Sequence, residues 1–454
     1  MKPQPTLPDN LLRITVLLAL LMLLAVTAAP GKPAEAVPAS LGENSIAGRR
    51  ALLQPANLPP VNTVPGAQSV NEDTALIFNG TVLISDPDAG AGLMLVQLSV
   101  LNGTLTLSGT TGLAFITGDG TSDQVMQFTG TITDINNALT GMSYTGNLNY
   151  NGSDTFRITT NDQGNTGTGG PLQDTDTVAI TVNAVNDAPV ITVPGAQVVD
   201  EETNLVFPGN ISVVDVDALE TTVPNSRIEI ELTVTNGALT LGSVSGLVFS
   251  IGDGTSDSTM TFQGTPSTIN NALNNMFYRP FNNYAGADTL EITVNDLGKT
   301  GSGGDQFDFE NVSITVNPVN DAPVNTVPSP RSTNEDTSLT FAGNISVADV
   351  DADPDDLEVT LTVNNGVLTL ATTAGLSFST GDGTDDATMV FQGTLAEINA
   401  ALNGMVYAPN TNFAGSDTLT ITTNDQGNNG SGGAKSDTDT VGITVVSQND
   451  APVN

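Results

Sequence analysis

The chain has 454 residues, of which 38% are hydrophobic and only 4% aromatic, with 46 Gly, 25 Pro and no Trp. That is enough apolar area for two to four packed domains, joined by many turns rather than built from long helices. Eleven Lys and Arg face 49 Asp and Glu, a net charge of −38, which disfavours nucleic acid and anionic lipid as partners and favours cations. The absence of Cys and His removes disulfides, thiol and imidazole catalysis, and most zinc, copper and iron sites.

The first element is an export signal. Lys2 and Arg13 precede the apolar run Ile14–Val26, and small residues follow at Thr27, Ala28 and Ala29. A charged start, a 13-residue apolar core and a small-residue exit predict a secretory signal over 1–29. The run is shorter than the roughly 18 residues a spanning helix needs, which favours a cleaved signal over the alternative, an uncleaved anchor. Residues 30–59, rich in Ala, Pro and Leu, read as a linker or pro-segment.

From Pro60 the sequence repeats. Pro60-Val61, Pro189-Val190, Pro323-Val324 and Pro452-Val453 are spaced 129, 134 and 129 residues apart. Five extra residues fall between Asp215 and Gly237, in a segment that includes ETTVPNS. Elsewhere the register holds: GDGT begins at Gly118, Gly252 and Gly381, followed 17 residues later by Ile135, Ile269 and Ile398. The spacing defines repeats over 60–188, 189–322 and 323–451, with 452–454 as the start of a missing further repeat.

Within each copy, Val178, Ile180 and Val182 alternate, as do Leu419 and Ile421, the period of half-buried strands. GDGTSD lies between two such strands and reads as a turn around Asp119-Gly120, with a metal loop as the alternative. One segment breaks the alternation. Thr394 stands three residues before Glu397, a capping box, and Pro266 follows Thr265. This predicts one short helix per repeat, ended by Asn403-Gly404, with Ile398, Leu402 and Met405 facing the sheets. The fold class is therefore all-β: tandem Greek-key β-sandwich repeats, each with one short helix.

Acidic residues recur at fixed places. Each first strand is followed by an acidic turn that holds Glu72, Glu201 or Glu335. Asp-x-Asp pairs come next, Asp86 with Asp88, Asp215 with Asp217 and Asp349 with Asp351, then Asp154, Asp288 and Asp417, and finally the ND pairs that supply Asp162, Asp296 and Asp425. A strand from Thr289 to Asn295 spans roughly 23 Å, so Asp288 and Asp296 are expected at opposite ends of a sandwich. Stacking two repeats through VNDAPV brings Glu72 and Asp154 from one repeat, Asn186 and Asp187 from the hinge, and Asp215, Asp217 and Asp296 from the next to one junction. Two unit charges about 4 Å apart repel by ~4 kcal/mol at an effective dielectric of ~20, so the junction calls for a cation. Calcium suits a flexible set of carboxylate and amide oxygens better than magnesium does. The final NDAPV, Asn449 to Val453, reads as a hinge without its next domain.

The run VNDAPV, NEDT, DVDA, DTLTITTNDQG resembles the tandem cadherin-like repeats of bacterial surface and secreted proteins, over about Pro60 to Asn454. The stretch from INNAL to ITVND is similar to their proteoglycan-type, CSPG-like branch. The resemblance implies calcium between domains, held at Asn186, Asp187, Asn320, Asp321, Glu72, Glu201, Asp215, Asp217, Asp349, Asp351, Asp296 and Asp425. Asp154 and Asp288 stand in by position only for an acidic motif that this chain lacks. The function implied is non-enzymatic: extracellular adhesion, or a calcium-stiffened stalk that is secreted or on the cell surface. Its partners would be other surface molecules or like repeats, with carbohydrate as a further candidate. The alternative is a passive spacer or carbohydrate-binding module of a larger secreted protein. GDQFDFEN, Gly304–Asn311, replaces the DTDT of the other copies and is the candidate for a binding feature unique to one repeat, or for drift in a loop.

Overall fold

The computed structural model of the protein describes residues 55–219, 226–352, 354–427 and 429–449. The expected export signal, the linker up to residue 54, most of the insertion after Leu219 and the final 452–454 lie outside the described residues. No described helix is long and apolar enough to cross a membrane.

The first repeat contains eleven strands and one helix. The strands are β1 (Val61–Thr63), β2 (Gln68–Asn71), β3 (Ala75–Phe78), β4 (Leu83–Ser85), β5 (Met94–Ser99), β6 (Gly103–Thr106), β7 (Ala114–Thr117), β8 (Val125–Gly130), β9 (Met142–Gly146), β10 (Gly152–Asn161) and β11 (Gln173–Asn183). The helix α1 (Ile132–Leu139) lies between β8 and β9. One sheet has six strands in the order β2-β11-β10-β5-β8-β7; a second has three, β3-β9-β6; β1 pairs with β4. All pairings are antiparallel except β2 with β11, which is parallel. The second and third repeats reproduce these sheets strand for strand. The molecule is thus a tandem array of β-sandwiches.

Period-2 alternation places the cores. In β10, Phe156 and Ile158 point inward, as Leu290 and Ile292 do in the second repeat and Leu419 and Ile421 in the third. Each repeat has its own buried cluster, spanning Phe78–Val182, Ile191–Val316 and Phe341–Val445. Fully burying one such Phe or Ile side chain contributes roughly 1.5–3 kcal/mol, so each module carries the means of its own stability. A buried tyrosine, Tyr144, Tyr278 or Tyr407, lies at the end of each core. The facing strand must be glycine there, because a Cβ on Gly103 would fall 2.6 Å from the Tyr144 ring and 2.4 Å from the Thr145 carbonyl oxygen.

The helices form where the sequence places them: α1, α2 (Pro266–Leu273) and α3 (Leu395–Leu402). Thr394 and Glu397 make the capping box, and Pro266 opens α2. Ile398 and Leu402 are buried on α3, while Met405 begins the next strand. Each helix also reaches sideways. Asn136 accepts from Ile84 N and donates to its carbonyl, at 2.8 and 2.9 Å, and Asn270 and Asn399 do the same to Val213 and Val347. These bonds fix β4 and its counterparts, the strands that lead directly into the Asp-x-Asp loops.

Candidate metal centre

At the first seam, Glu72 closes the turn after β2 and its Oε1 accepts from Val185 N at 2.6 Å. The hinge continues into the second repeat. Asn186 N donates to the Ser302 carbonyl at 2.8 Å, and its side-chain amide donates to Asp296 Oδ2 at 2.6 Å and to the Gly304 carbonyl at 2.9 Å. Asp187 N then donates to Asp217 Oδ2 at 2.6 Å. The second seam repeats the arrangement. Glu201 accepts from Val319 N at 2.7 Å, Asn320 donates to Asp425 Oδ2 at 2.7 Å, and Asp321 N donates to Asp351 Oδ2 at 2.5 Å. A cleft of about 580 Å³ reaches this second seam, lined in part by Glu202, Asp321 and Asp349.

These carboxylates crowd one another. Burial pushes the Asp217 carboxyl up to about 6, with the charges of Asp187, Asp215 and Glu72 adding to the shift. Burial raises Asp215 as well, reinforced by Asp296 and Asp187. At the second seam, Glu201 is raised by burial and then by Asp351 and Asp321, and Asp349 by burial and then by Asp351, Asp425 and Asp321. The interacting carboxylates come from different elements, and for Asp217 and Glu201 from different repeats. Loss of water and the nearness of like charge both disfavour the ionised form.

The donor chemistry fits a hard cation. Asn320 Oδ1 and Asp349 Oδ2 are buried acceptor atoms without a hydrogen-bond donor. A cation supplies what such oxygens lack. The shell is not ready-made: among the described residues, no group of three or more Asp or Glu side chains is gathered closely enough to hold a metal ion. The hinge backbone amides occupy several of the oxygens instead.

Two residues expected at the junction are placed elsewhere. Asp154 Oδ1 accepts from Leu101 N and Thr155 N, and its Oδ2 from Asn102 N and the Tyr144 hydroxyl, at 2.7–3.0 Å. Asp288 is held in the same way by Thr235 N, Thr289 N, Asn236 N and the Tyr278 hydroxyl. Both carboxylates point into the sandwich and receive four donors each, so they clamp the tyrosine corner rather than serve the seam.

The sequence reading named Asp86, Asp88 and Asp162 among the recurring acids but missed their partners, Asn57 and Leu58, at the head of the first repeat. Asn57 donates to Asp162 Oδ2 at 2.6 Å and to the Gly170 carbonyl at 2.9 Å, and Leu58 N donates to Asp88 Oδ2 at 3.2 Å. Asp86 Oδ2, Asp88 Oδ1 and Asn57 Oδ1 are buried without donors. The signal was the spacing Asn57-x-x-Pro60, which matches Asn186-x-x-Pro189. Also missed were Asp174, Asp308 and Asp437, which accept from Asn62 N, Ile191 N and Asn325 N and fix the first strand of each repeat. GDQFDFEN therefore keeps this pinning aspartate, while Phe307 and Phe309 lie exposed on the outer face. GDGTSD is a turn: Asp123 Oδ2 accepts from Asp119 N and Gly120 N at 3.0 and 2.8 Å.

Residues 340–432 match the family model described as "Protein GAMETE EXPRESSED 2 domain". No curated protein matches the chain in sequence. Among solved structures the chain is similar to mouse cadherin-23 EC22-24, at 15% identity and a TM-score of 0.30, covering 86% of this chain and 100% of that one. It is similar also to human CDH23 EC21-23, at 11% identity and a TM-score of 0.33, covering 85% and 100%. Titin domains I67-I69 match at 9% identity and a TM-score of 0.21, covering 86% and 99%. By class, this is a protein of tandem β-sandwich repeats.

Proposed function

We propose that this is a non-enzymatic extracellular protein whose repeats are stiffened by calcium at their seams, acting in cell-surface adhesion or as a stalk. The observation that carries the reading is the approach, at each seam, of buried and half-buried carboxylates from two repeats and the hinge between them. Glu72, Asn186, Asp187, Asp215, Asp217 and Asp296 would hold the ion at the first seam. Glu201, Asn320, Asp321, Asp349, Asp351 and Asp425 would hold it at the second. The bound ion supplies positive charge that offsets the crowding of these oxygens. The chain's own contribution is orientation: the helix asparagines fix the Asp-x-Asp strands, and the glutamates and Asn–Asp bonds tie the hinge to both repeats.

With a dissociation constant of about 10⁻⁴ M and calcium near ~1 mM, each seam would gain roughly 1.4 kcal/mol. That is small against the stability of a module, so the main effect is on the angle between modules. Export through the N-terminal segment and engagement of other surface molecules or like repeats belong to the same reading. Small-angle scattering of the full chain tests it: the particle should be extended in calcium and become flexible in chelator. An unchanged profile favours a passive spacer.

A further inference from the structure

The two seams differ in one residue whose position is fixed by the fold. In every repeat the backbone N–H of the residue just before β11, or its counterpart, donates to the buried Asp of the ND pair. Leu172 donates to Asp162, Gln306 to Asp296 and Lys435 to Asp425, at 2.8, 2.9 and 2.8 Å. In the third repeat this residue is a lysine, and its ammonium donates to the main-chain carbonyl of Asn320 in the hinge. The preceding residue also changes, from Asp305 at the first seam to Ala434 at the second. Both differences make the second seam less negative.

Positive charge is scarce in this chain. Residues 55–449 contain six basic side chains: Arg157, Arg227, Arg279, Lys299, Arg331 and Lys435. Lys299 follows Asp296 by three residues, but it is exposed at the rim of the first seam. Lys435 is half-buried, with its charge on the hinge itself. A lysine held on the hinge carbonyl brings to the seam one positive charge where a bound calcium ion would bring two.

We propose that Lys435 is a built-in counter-ion of the second seam, so that one chain carries two hinges of unequal calcium demand. The proposal rests on the calcium reading above. The first hinge needs the metal to close. The second is partly closed without it, and binds the metal more weakly because the ammonium already holds the Asn320 carbonyl and offsets part of the seam's negative charge.

Hydrogen exchange of the full chain separates the two ideas. In metal-depleted buffer, the amides of Asn320 and Asp321 should exchange about tenfold more slowly than those of Asn186 and Asp187. Lys435→Gln, which restores the Gln306 side chain, should erase that difference, Lys435→Arg should keep it, and Gln306→Lys should protect the first hinge. On adding calcium chloride, the first hinge should saturate at lower concentration, and Lys435→Gln should bring the second to the same midpoint. Equal protection of the two wild-type hinges without metal, or no effect of Lys435→Gln, overturns the proposal. If neither hinge responds to calcium, the metal reading fails, while the metal-free comparison still decides the role of Lys435 as a tether.

Discussion

Asp288 and Asp217 are both almost fully buried aspartates of the second repeat, yet their surroundings are opposite. Asp288 receives four donors, three backbone amides and the Tyr278 hydroxyl, which together replace its lost water. Asp217 accepts from Asp187 N, and its other neighbours include the carboxylates of Asp187, Asp215 and Glu72. The first arrangement is complete within one polypeptide. The second is crowded with charge of one sign and gains from an ion. Burial alone therefore does not mark a metal ligand; the balance of donors and like charges around the carboxylate does.

The sharpest way to break this comparison is to remove one carboxylate of each kind. Asp288→Ala leaves the Tyr278 hydroxyl and two loop amides without their acceptor, each at a cost of about 1–3 kcal/mol. Repeat 2 should lose about 3–5 kcal/mol in all, read from exchange of its core amides, and the loss should be the same with calcium or with chelator. Asp217→Ala should do the reverse. In chelator it relieves repulsion and leaves stability within about 1 kcal/mol of wild type. In calcium it abolishes the gain of roughly 1.4 kcal/mol expected at the first seam. Calorimetry in both buffers checks this. A calcium-dependent penalty for Asp288→Ala, or none for Asp217→Ala, would end the distinction.

The pH dependence sharpens the same contrast with a smaller effect. Asp217 sits near 6 in the folded chain against 3.8 for a free aspartate, and Asp215, Glu201 and Asp349 are raised in the same direction. The folded state thus holds protons more tightly than the unfolded one. The stabilisation from these groups is fully present below about 4 and is lost as pH rises through about 6. In metal-depleted buffer the melting temperature contributed by the seams should fall between pH 5 and pH 7. In calcium the trend should flatten or invert, because protons compete with the ion for the same oxygens. Parallel curves in the two buffers would separate the carboxylates from any metal.

Much of the fold was legible because its signals are local and occur three times. Strand alternation, the Thr394–Glu397 box and Pro266 depend on neighbours within a few residues, and the three copies agree. The placing of Asp154 and Asp288 went wrong although the sequence held the answer. Asp417, Leu419 and Ile421 share one parity in their strand, so the face that buries Leu419 also buries Asp417, and the same holds for Asp288 and Asp154. Their partner, the tyrosine hydroxyl, comes from another strand ten residues earlier, and no pattern within the aspartate's own strand announces it. Asn136 and Lys435 were missed for a related reason. Their contacts span 52 and 115 residues, and only the folded sandwich brings those ends together.

The smallest expected effect comes from the one hinge position where the repeats disagree in charge. Asn57 and Leu58 dock on the first repeat as Asn186 and Asp187 dock on the second, with the same amide bonds to Asp162 and Asp88. Leu58 is 47% exposed where the other hinges carry a carboxylate. Leu58→Asp would add an acidic side chain beside Asp86 and Asp88, whose unpaired oxygens already lie at this end. Without metal the change should cost about 0.5 kcal/mol through added repulsion, the scale of a partly exposed charge pair. With calcium that loss should be recovered in repeat 1 alone, seen as a calcium-dependent shift of its calorimetric transition that wild type shows more weakly. If Leu58→Asp destabilises equally in both buffers, the hinge aspartates are not what draws the ion, and the burden falls on the Asp-x-Asp loops.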